Sequence, residues 1–258
     1  MMMADESELH YLPIVTCGWF ILTVAVTYLI SVLNGHVYPL VPYISDTGTK
    51  PYESCVFGQM LNIGALLLGV NNYIRYRQVD LAIQSKNVNL KEKWNTVALW
   101  LGMIISLGIS IVANFQQKPL FAIHMVGALM SFGFSTIYFI IQARISFAFR
   151  HLHKKYPKYT VGSCIIYFRI VLCACYTILF FMVFSFSPMA FKQFKGDDLL
   201  YWTPEDGGFG YHITATLSEW GLLCIMIVFV FTGSAEFKTI GFHEISFRSK
   251  LFDMTMDT

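Results

Sequence analysis

The sequence predicts an all-α, polytopic membrane protein, a bundle of six transmembrane helices with both termini in the cytosol. Of its 258 residues, 55% are hydrophobic and only 13% are charged, and the mean hydropathy is +0.55. Soluble domains carry about 25% charged residues, so this chain has too little polar surface for a soluble fold. Its formal net charge of +2 provides no concentrated basic face for nucleic acid. The composition therefore excludes a soluble enzyme, a disordered chain and a disulfide-framed secreted module.

Six apolar blocks define the predicted spans. Each block has about 20 residues, the length that a helix needs to cross the hydrocarbon core while satisfying its own backbone hydrogen bonds. The spans are predicted at about residues 11–33, 56–73, 94–112, 120–141, 165–187 and 211–232. They form one transmembrane domain, residues 11–232, between a cytosolic N-terminus of residues 1–10 and a cytosolic tail of residues 233–258.

The distribution of lysine and arginine predicts the orientation. Most of the 18 basic residues lie after spans two and four or in the tail, whereas the other loops hold only Lys50, Lys118, Lys192 and Lys195. Because short loops rich in basic residues stay in the cytosol, loops one, three and five are predicted to be luminal. The cysteines are predicted to be free, since four lie within spans and Cys55 has no partner on the luminal side.

Small residues indicate how span three packs. Four of them recur at every fourth position: Ala98, Gly102, Ser106 and Ser110. This spacing lets another helix approach closely. Span four has a set that is expected to face it: His124, Ala128, Ser131 and Ser135. The stripe would also serve a homodimer, so the oligomeric state stays open.

Six polar residues are predicted at one depth, near the luminal ends of their spans: Gln59, Asn62, Asn114, His124, His212 and Glu219. Two interpretations stay open. The residues form a hydrogen-bonded knot between helices, or they line a polar cavity that senses protons or binds a lipid headgroup. No ligand spacing indicates a metal site, and no cofactor or catalytic residue is predicted. Arg169, one turn inside span five, is expected to extend toward lipid phosphates.

The first luminal loop contains a turn motif, Ser45-Asp46-Thr47-Gly48. Its last three residues, followed by Thr49, are similar to the catalytic turn of aspartic proteases. That chemistry needs two carboxylates sharing a proton, and the loop has no second copy. We therefore predict an Asx-type turn in which Asp46 caps neighbouring amides and Gly48 takes a positive φ.

The fifth loop has related turn chemistry in Pro204, Glu205 and Asp206. The flanking aromatic residues Trp202 and Tyr211 are expected to lie at the membrane interface as anchors.

A basic cluster follows span four on the predicted cytosolic side: Arg150, Lys154, Lys155 and Lys158. Two interpretations stay open here as well. The cluster is the ordinary positive-inside signal, or it contacts anionic phosphoinositide headgroups.

Four separated stretches are similar to the motifs of one known family. They are PYISDTGT at residues 42–49 with Glu53 and CVFG at 55–58, RYRQV at 75–79, LGISIVANFQ at 107–116, and residues 202–220, which include His212 and Glu219. These stretches resemble the DRAM family, the damage-regulated autophagy modulators. The resemblance covers nearly all of residues 11–232 in one register.

The resemblance implies a six-span protein of the lysosomal membrane that promotes autophagy and, in some members, damage-linked cell death. It implies no catalytic activity. Our lead interpretation is a regulator that acts from the lipid bilayer through contacts with other membrane proteins. A late endosomal or Golgi location stays open. The wider superfamily includes lipid-remodelling factors, so the alternative is a lipid-handling protein that uses the luminal histidines and Glu219. A channel or proton-coupled carrier is disfavoured, because the sequence shows no inverted repeats or broken helices.

Overall fold

Seven helices account for most of the chain in the computed structural model, which describes residues 8–158 and 160–240. They are α1 (Tyr11–Leu33), α2 (Glu53–Gln84), α3 (Glu92–Asn114), α4 (Phe121–Ala128), α5 (Phe134–Phe149), α6 (Ser163–Gln193) and α7 (Phe209–Phe231). A wider helical turn, Leu129–Gly133, joins α4 to α5, so these two helices form one continuous span. Six helices are thus long and apolar enough to cross a membrane. The described part of the chain has no strand, which confirms the predicted fold class.

Helix α2 is much longer than the apolar block that predicted it. The apolar block covers residues 56–73, whereas the helix begins at Glu53 and ends at Gln84. At 1.5 Å per residue its 32 residues extend about 48 Å, well beyond a hydrocarbon core of about 30 Å. Of the basic residues after span two, Arg75 and Arg77 therefore lie on a helical extension. Hydropathy did not indicate this extension, because Arg75, Arg77 and Asp80 interrupt the apolar run.

The helices pack with α2 along α3 and α1, and with α6 along α7. The core between them contains large apolar side chains from every span, among them Phe20, Leu61, Ile105, Phe139 and Leu222. Helix α6 buries the smallest part of its apolar segment inside the bundle. It therefore lies at the periphery, with most of its apolar side chains facing outward.

The small-residue stripe of α3 faces α2, not span four as expected. Asn72 of α2 donates a hydrogen bond from Nδ2 to the Gly102 carbonyl oxygen at 3.1 Å. A Cβ at Gly102 would lie 2.7 Å from the Asn72 side chain. Span four approaches α3 on a different face, where a Cβ at Gly108 would lie 2.7 Å from the Ser131 backbone nitrogen. Two small faces of α3 therefore serve two neighbours within the same chain.

The two ends of the bundle differ in their connections. The first-loop end carries residues 34–52, 115–120 and 194–208, and the terminal end carries the loops before α3 and α6. At the terminal end, the turn Glu8–His10 packs against the turn Ser234–Thr239. Both terminal segments therefore lie at one end. All six cysteines are free, as the sequence predicts. Residues 1–7 and 241–258, which belong to the predicted cytosolic termini, lie outside the described residues.

Candidate functional site at the first-loop end

At the first-loop end, residues 42–49 of the first loop fold back into the helix bundle. We call this segment the loop-1 plug. Its residues from Pro42 to Gly48 are all buried. Their backbone forms a short 3-10 turn, Ser45–Gly48. The turn is closed by hydroxyl groups, because Thr47 Oγ1 donates to the Ile44 carbonyl at 2.7 Å and Thr49 Oγ1 donates to the Ser45 carbonyl at 3.1 Å.

Two side chains of helix α7 form hydrogen bonds with the backbone of the plug. The Ile44 amide donates to Glu219 Oε2 at 2.8 Å, and Trp220 Nε1 donates to the Pro42 carbonyl at 2.9 Å. A buried backbone amide without a partner is costly. Glu219 therefore has an identified task, which is to satisfy the amide of Ile44 inside the bundle.

Three further elements hold the plug through side chains. Tyr43 Oη donates to Ser187 Oγ of α6 at 2.9 Å, and Ser45 Oγ donates to Gln117 Oε1 of the third loop at 2.8 Å. The hydroxyls of Thr47 and Thr27 of α1 lie 3.2 Å apart. The plug is thus a point at which α1, α6, α7 and the third loop are tied together.

Gly48 and Asp46 behave differently from the Asx-type turn that the sequence suggests. The positive-φ glycines of the described chain are Gly35, Gly207 and Gly208, so the prediction for Gly48 is wrong. Glycine is needed at position 48 because there is no room for a side chain: a Cβ there would lie 2.3 Å from Phe57 Cγ of α2. The prediction that Asp46 caps amides is also wrong, because its carboxylate accepts no hydrogen bond within the described residues.

The six polar residues predicted at one depth do not form a single network. Asn62 and Asn114 bond each other at 3.0–3.1 Å, and Ser110 Oγ donates to Asn62 Oδ1 at 2.6 Å. His124 Nδ1 lies 2.8 Å from the Phe115 carbonyl oxygen, where it fixes the start of span four. Gln59 is exposed. The predicted knot is therefore divided into separate local contacts.

His124 and Glu219 nevertheless line one small cavity of about 60 Å³, together with Ile44 and Ser45 of the plug. His212 lies elsewhere, stacked on the Trp202 ring with centroids 4.3 Å apart. Its Nδ1 is buried and has no hydrogen-bond partner among the described residues. The histidines and Glu219 thus do not converge on one reacting point.

The fifth loop confirms the predicted turn chemistry and corrects one of its anchors. Asp206 Oδ2 accepts hydrogen bonds from Thr203 N and Oγ1 at 2.7 and 2.8 Å, with Pro204 and Glu205 exposed between them. Trp202 is only 1% exposed and donates from Nε1 to the Gly207 carbonyl at 2.9 Å. Trp202 is therefore a core residue of the loop, not an interfacial anchor, because His212 offers it a stacking surface.

Glu53 has a partner that sequence reasoning missed. This glutamate opens α2, is fully buried, and lies with Oε1 2.5 Å from His36 Nδ1. A carboxylate in the first turn of a helix interacts favourably with the positive end of the helix dipole. The His36–Glu53 contact therefore ties the beginning of the first loop to its end.

Charge at the first-loop end is unevenly compensated. Burial raises the pKa of the Asp46 carboxyl well above its ordinary value, and the nearby Glu219 and Asp198 carboxylates raise it further. Burial is the largest single influence on the pKa of Asp198 and raises it, but the hydrogen bonds from Lys118 at 3.0 Å and from the Leu200 amide, together with the charges of Lys118 and Lys50, lower it below its ordinary value. Lys50 lies 3.9 Å from the same carboxylate. The two lysines thus compensate Asp198 at the surface, whereas Asp46 has no ion pair among the described residues and the charge of Lys118 lowers its pKa only in part.

The terminal end holds an ionic cluster that the sequence did not reveal. Glu236 Oε1 lies 3.0 Å from Arg75 Nη1, and its Oε2 lies 2.6 Å from Arg169 Nη2. Arg169 is 3% exposed and also donates to Ser146 Oγ and Thr232 Oγ1. The expectation that it extends toward lipid phosphates is therefore wrong. No sequence pattern signals the cluster, since its members are far apart in the chain and Glu236 follows the last span.

The predicted basic cluster lies at the surface of the terminal end. All four of its members are exposed: Arg150, Lys154, Lys155 and Lys158. The Arg150 guanidinium lies 4.0 Å from the Phe147 ring centroid. The exposure is compatible with both interpretations of the cluster.

Comparison with known proteins decides the family. The sequence model of the family described as the Frag1/DRAM/Sfk1/Cwh43P N-terminal domain matches residues 8–240. The chain belongs to this family. This confirms the DRAM resemblance, and the matched region extends past the last span to include Glu236.

The relatives of this family member cover most of its length. DNA damage-regulated autophagy modulator protein 2 of Homo sapiens is 34% identical over 238 residues, which are 91% of this chain and 86% of the relative. DNA damage-regulated autophagy modulator protein 1 of Xenopus laevis is 35% identical over 214 residues, 81% of this chain and 82% of the relative. Modulator of macroautophagy TMEM150B-B of Xenopus laevis is 37% identical over 144 residues, 55% of this chain and 60% of the relative. No solved structure matches this DRAM-family chain.

Proposed function

We propose that this DRAM-family protein is a modulator of autophagy in the lysosomal membrane that acts without catalysis, through contacts with other membrane proteins and lipids. The observation that carries the proposal is the similarity to autophagy modulators over 91% of the chain. In this proposal the basic terminal end faces the cytosol and the first-loop end faces the lumen.

The contacts at the first-loop end support action through a shaped surface. Glu219 satisfies the Ile44 amide, and His212 packs on Trp202. These groups hold loops in place and are not arranged as a nucleophile with its base. The surface formed by loops one, three and five is therefore the region proposed to contact partners.

A lipid-handling protein is the second candidate. One observation favours it, a cavity of about 380 Å³ between the loops. The separation of His212 from His124 and Glu219 speaks against the catalytic version of this candidate. The cavity is compatible with binding of an amphipathic molecule.

The proposal is tested by autophagic flux in depleted cells that are rescued with the intact protein. We expect depletion to lower flux and the intact protein to restore it, with the protein localised to lysosomes. Unchanged flux after depletion would overturn the proposal. A Glu219→Gln, His212→Phe double variant at matched abundance distinguishes the two candidates, because it keeps the acceptor and the stacking ring but removes the titratable groups. Rescue by this variant favours contact, whereas its failure favours chemistry at the site.

A further inference from the structure

A cavity of about 380 Å³ lies at the first-loop end, where α4 begins and α6 ends. Small-molecule sites in proteins range from about 300 to 1,000 Å³. One wall is apolar and is formed by Phe121, Phe191, Leu199 and Leu200. The side chain of Leu199 is exposed, whereas Leu200 is buried, so Leu199 marks the mouth. The cavity has the size and lining of a site for an apolar chain.

The polar wall contains one carboxylate that has neither a hydrogen bond nor an ion pair among the described residues. Of the four polar side chains in the lining, Tyr43 donates to Ser187, Gln117 accepts from Ser45, and Lys118 bonds Asp198. The fourth, Asp46, is 5% exposed, and its carboxylate takes part in no hydrogen bond among the described residues. An aspartate is seldom buried to this degree without a partner.

We propose that this cavity binds an amphipathic amine, with the ammonium head on Asp46 and the apolar tail along Phe121, Phe191 and Leu199. The proposal goes beyond the function proposed above, because it holds whether or not the protein modulates autophagy.

The charges around the cavity select the sign of the head group. Glu219 and Asp198 make the electrostatic potential at Asp46 more negative, so a carboxylate or phosphate head group would be repelled. Lys118 does not offset this potential fully, since it is paired with Asp198. An ammonium group carries the complementary charge and three hydrogen-bond donors. The ammonium group favours the ionised form of Asp46, because attraction between the two charges is stronger in a cavity of low dielectric than in water.

The test is photolabelling of the full-length protein in phosphatidylcholine nanodiscs. The probe is a 12-carbon alkyl amine with a diazirine in the middle of its chain, and the matched neutral probe is the corresponding alcohol. Labelled peptides are identified by mass spectrometry. We expect the amine to label residues 117–121 and 191–200, and unlabelled dodecylamine to compete with it.

Variants separate the head group from the tail. Asp46→Asn should reduce amine labelling about tenfold, the effect of losing one charge-assisted hydrogen bond, and should leave labelling by the alcohol unchanged. Asp197→Asn, at an exposed aspartate of the fifth loop, is the matched control and should change neither. Leu199→Trp should fill the mouth and reduce labelling by both probes.

Three results would overturn the proposal. They are equal labelling of the intact protein and Asp46→Asn by the amine, undiminished labelling in Leu199→Trp, and amine labelling only at outward-facing residues such as Phe181. A melting temperature measured for each variant establishes that it is folded. If Asp46→Asn does not fold, the comparison of intact protein with Leu199→Trp decides the outcome.

Discussion

Removal of the Glu236 carboxylate should destabilise the whole bundle. Glu236 bridges Arg75 of α2 and Arg169 of α6, and all three side chains are at least nine-tenths buried. Glu236→Gln keeps the size of the side chain but removes its charge. Two guanidinium groups then stay buried without the carboxylate that compensates them.

The expected magnitude follows from the charged hydrogen bonds that the substitution weakens. A hydrogen bond to a charged group contributes about 1.5–3 kcal/mol, and breaking a buried pair by removing one partner costs about 3–5 kcal/mol. The amide of glutamine still accepts one hydrogen bond. We therefore expect the free energy of unfolding to fall by about 3 kcal/mol, near the lower limit of that range.

The assay is unfolding in mixed micelles by titration with SDS, followed by tryptophan fluorescence. Glu205→Gln, at an exposed position of the fifth loop, is the matched control and should change stability by less than about 0.5 kcal/mol. A change of less than about 1 kcal/mol for Glu236→Gln would refute the inference that Glu236 stabilises the bundle by compensating Arg75 and Arg169.

Three other predictions concern the loop-1 plug, its pH dependence and the orientation of the chain. Gly48→Ala places a Cβ 2.3 Å from Phe57 Cγ and should cost about 1–3 kcal/mol. Gly18→Ala, with open space at its Cβ, is the control and should not destabilise; equal melting temperatures for both variants would contradict the packing argument. Because the pKa of Asp46 is raised above its ordinary value of 3.8, its contribution to stability is present below that value and is lost as pH rises through the higher folded value. The free energy of unfolding should therefore fall more steeply with rising pH for the intact protein than for Asp46→Asn, and parallel curves would count against it. In sealed lysosomes, an impermeant maleimide added outside should label the exposed Cys164 at the terminal end, and should label the exposed Cys55 only after permeabilisation; the reverse pattern would invert the proposed orientation.

The sequence was sufficient for the spans because each one is a local pattern. A run of about 20 apolar residues is helical in a bilayer whatever its neighbours are. The turn at Thr203–Asp206 was predictable for the same reason, since a capping box is formed by residues three apart. The helical extension of α2 beyond residue 73 was missed because hydropathy measures apolarity and not helicity.

The sites were less predictable because their contacts join distant segments. Arg75 and Glu236 are separated by 161 positions, and Ile44 and Glu219 by 175. In the sequence, Arg75 and Arg169 each look like an ordinary interfacial arginine, because their shared partner Glu236 is far away along the chain. The sequence suggested that Gly48 is needed for a positive φ, whereas glycine is needed there because the Phe57 ring of another helix leaves no room for a Cβ.

The central claim is that the first-loop end acts as a shaped surface that Glu219 holds in place. The most direct test is rescue of autophagic flux by Glu219→Gln and Glu219→Leu at matched abundance in depleted cells. The amide of glutamine still accepts the hydrogen bond from the Ile44 amide, whereas leucine cannot. Rescue by Glu219→Gln and failure of Glu219→Leu is the predicted result. Failure of both variants would contradict the claim by assigning a function to the carboxylate itself, and rescue by both would show that the loop-1 plug is not needed.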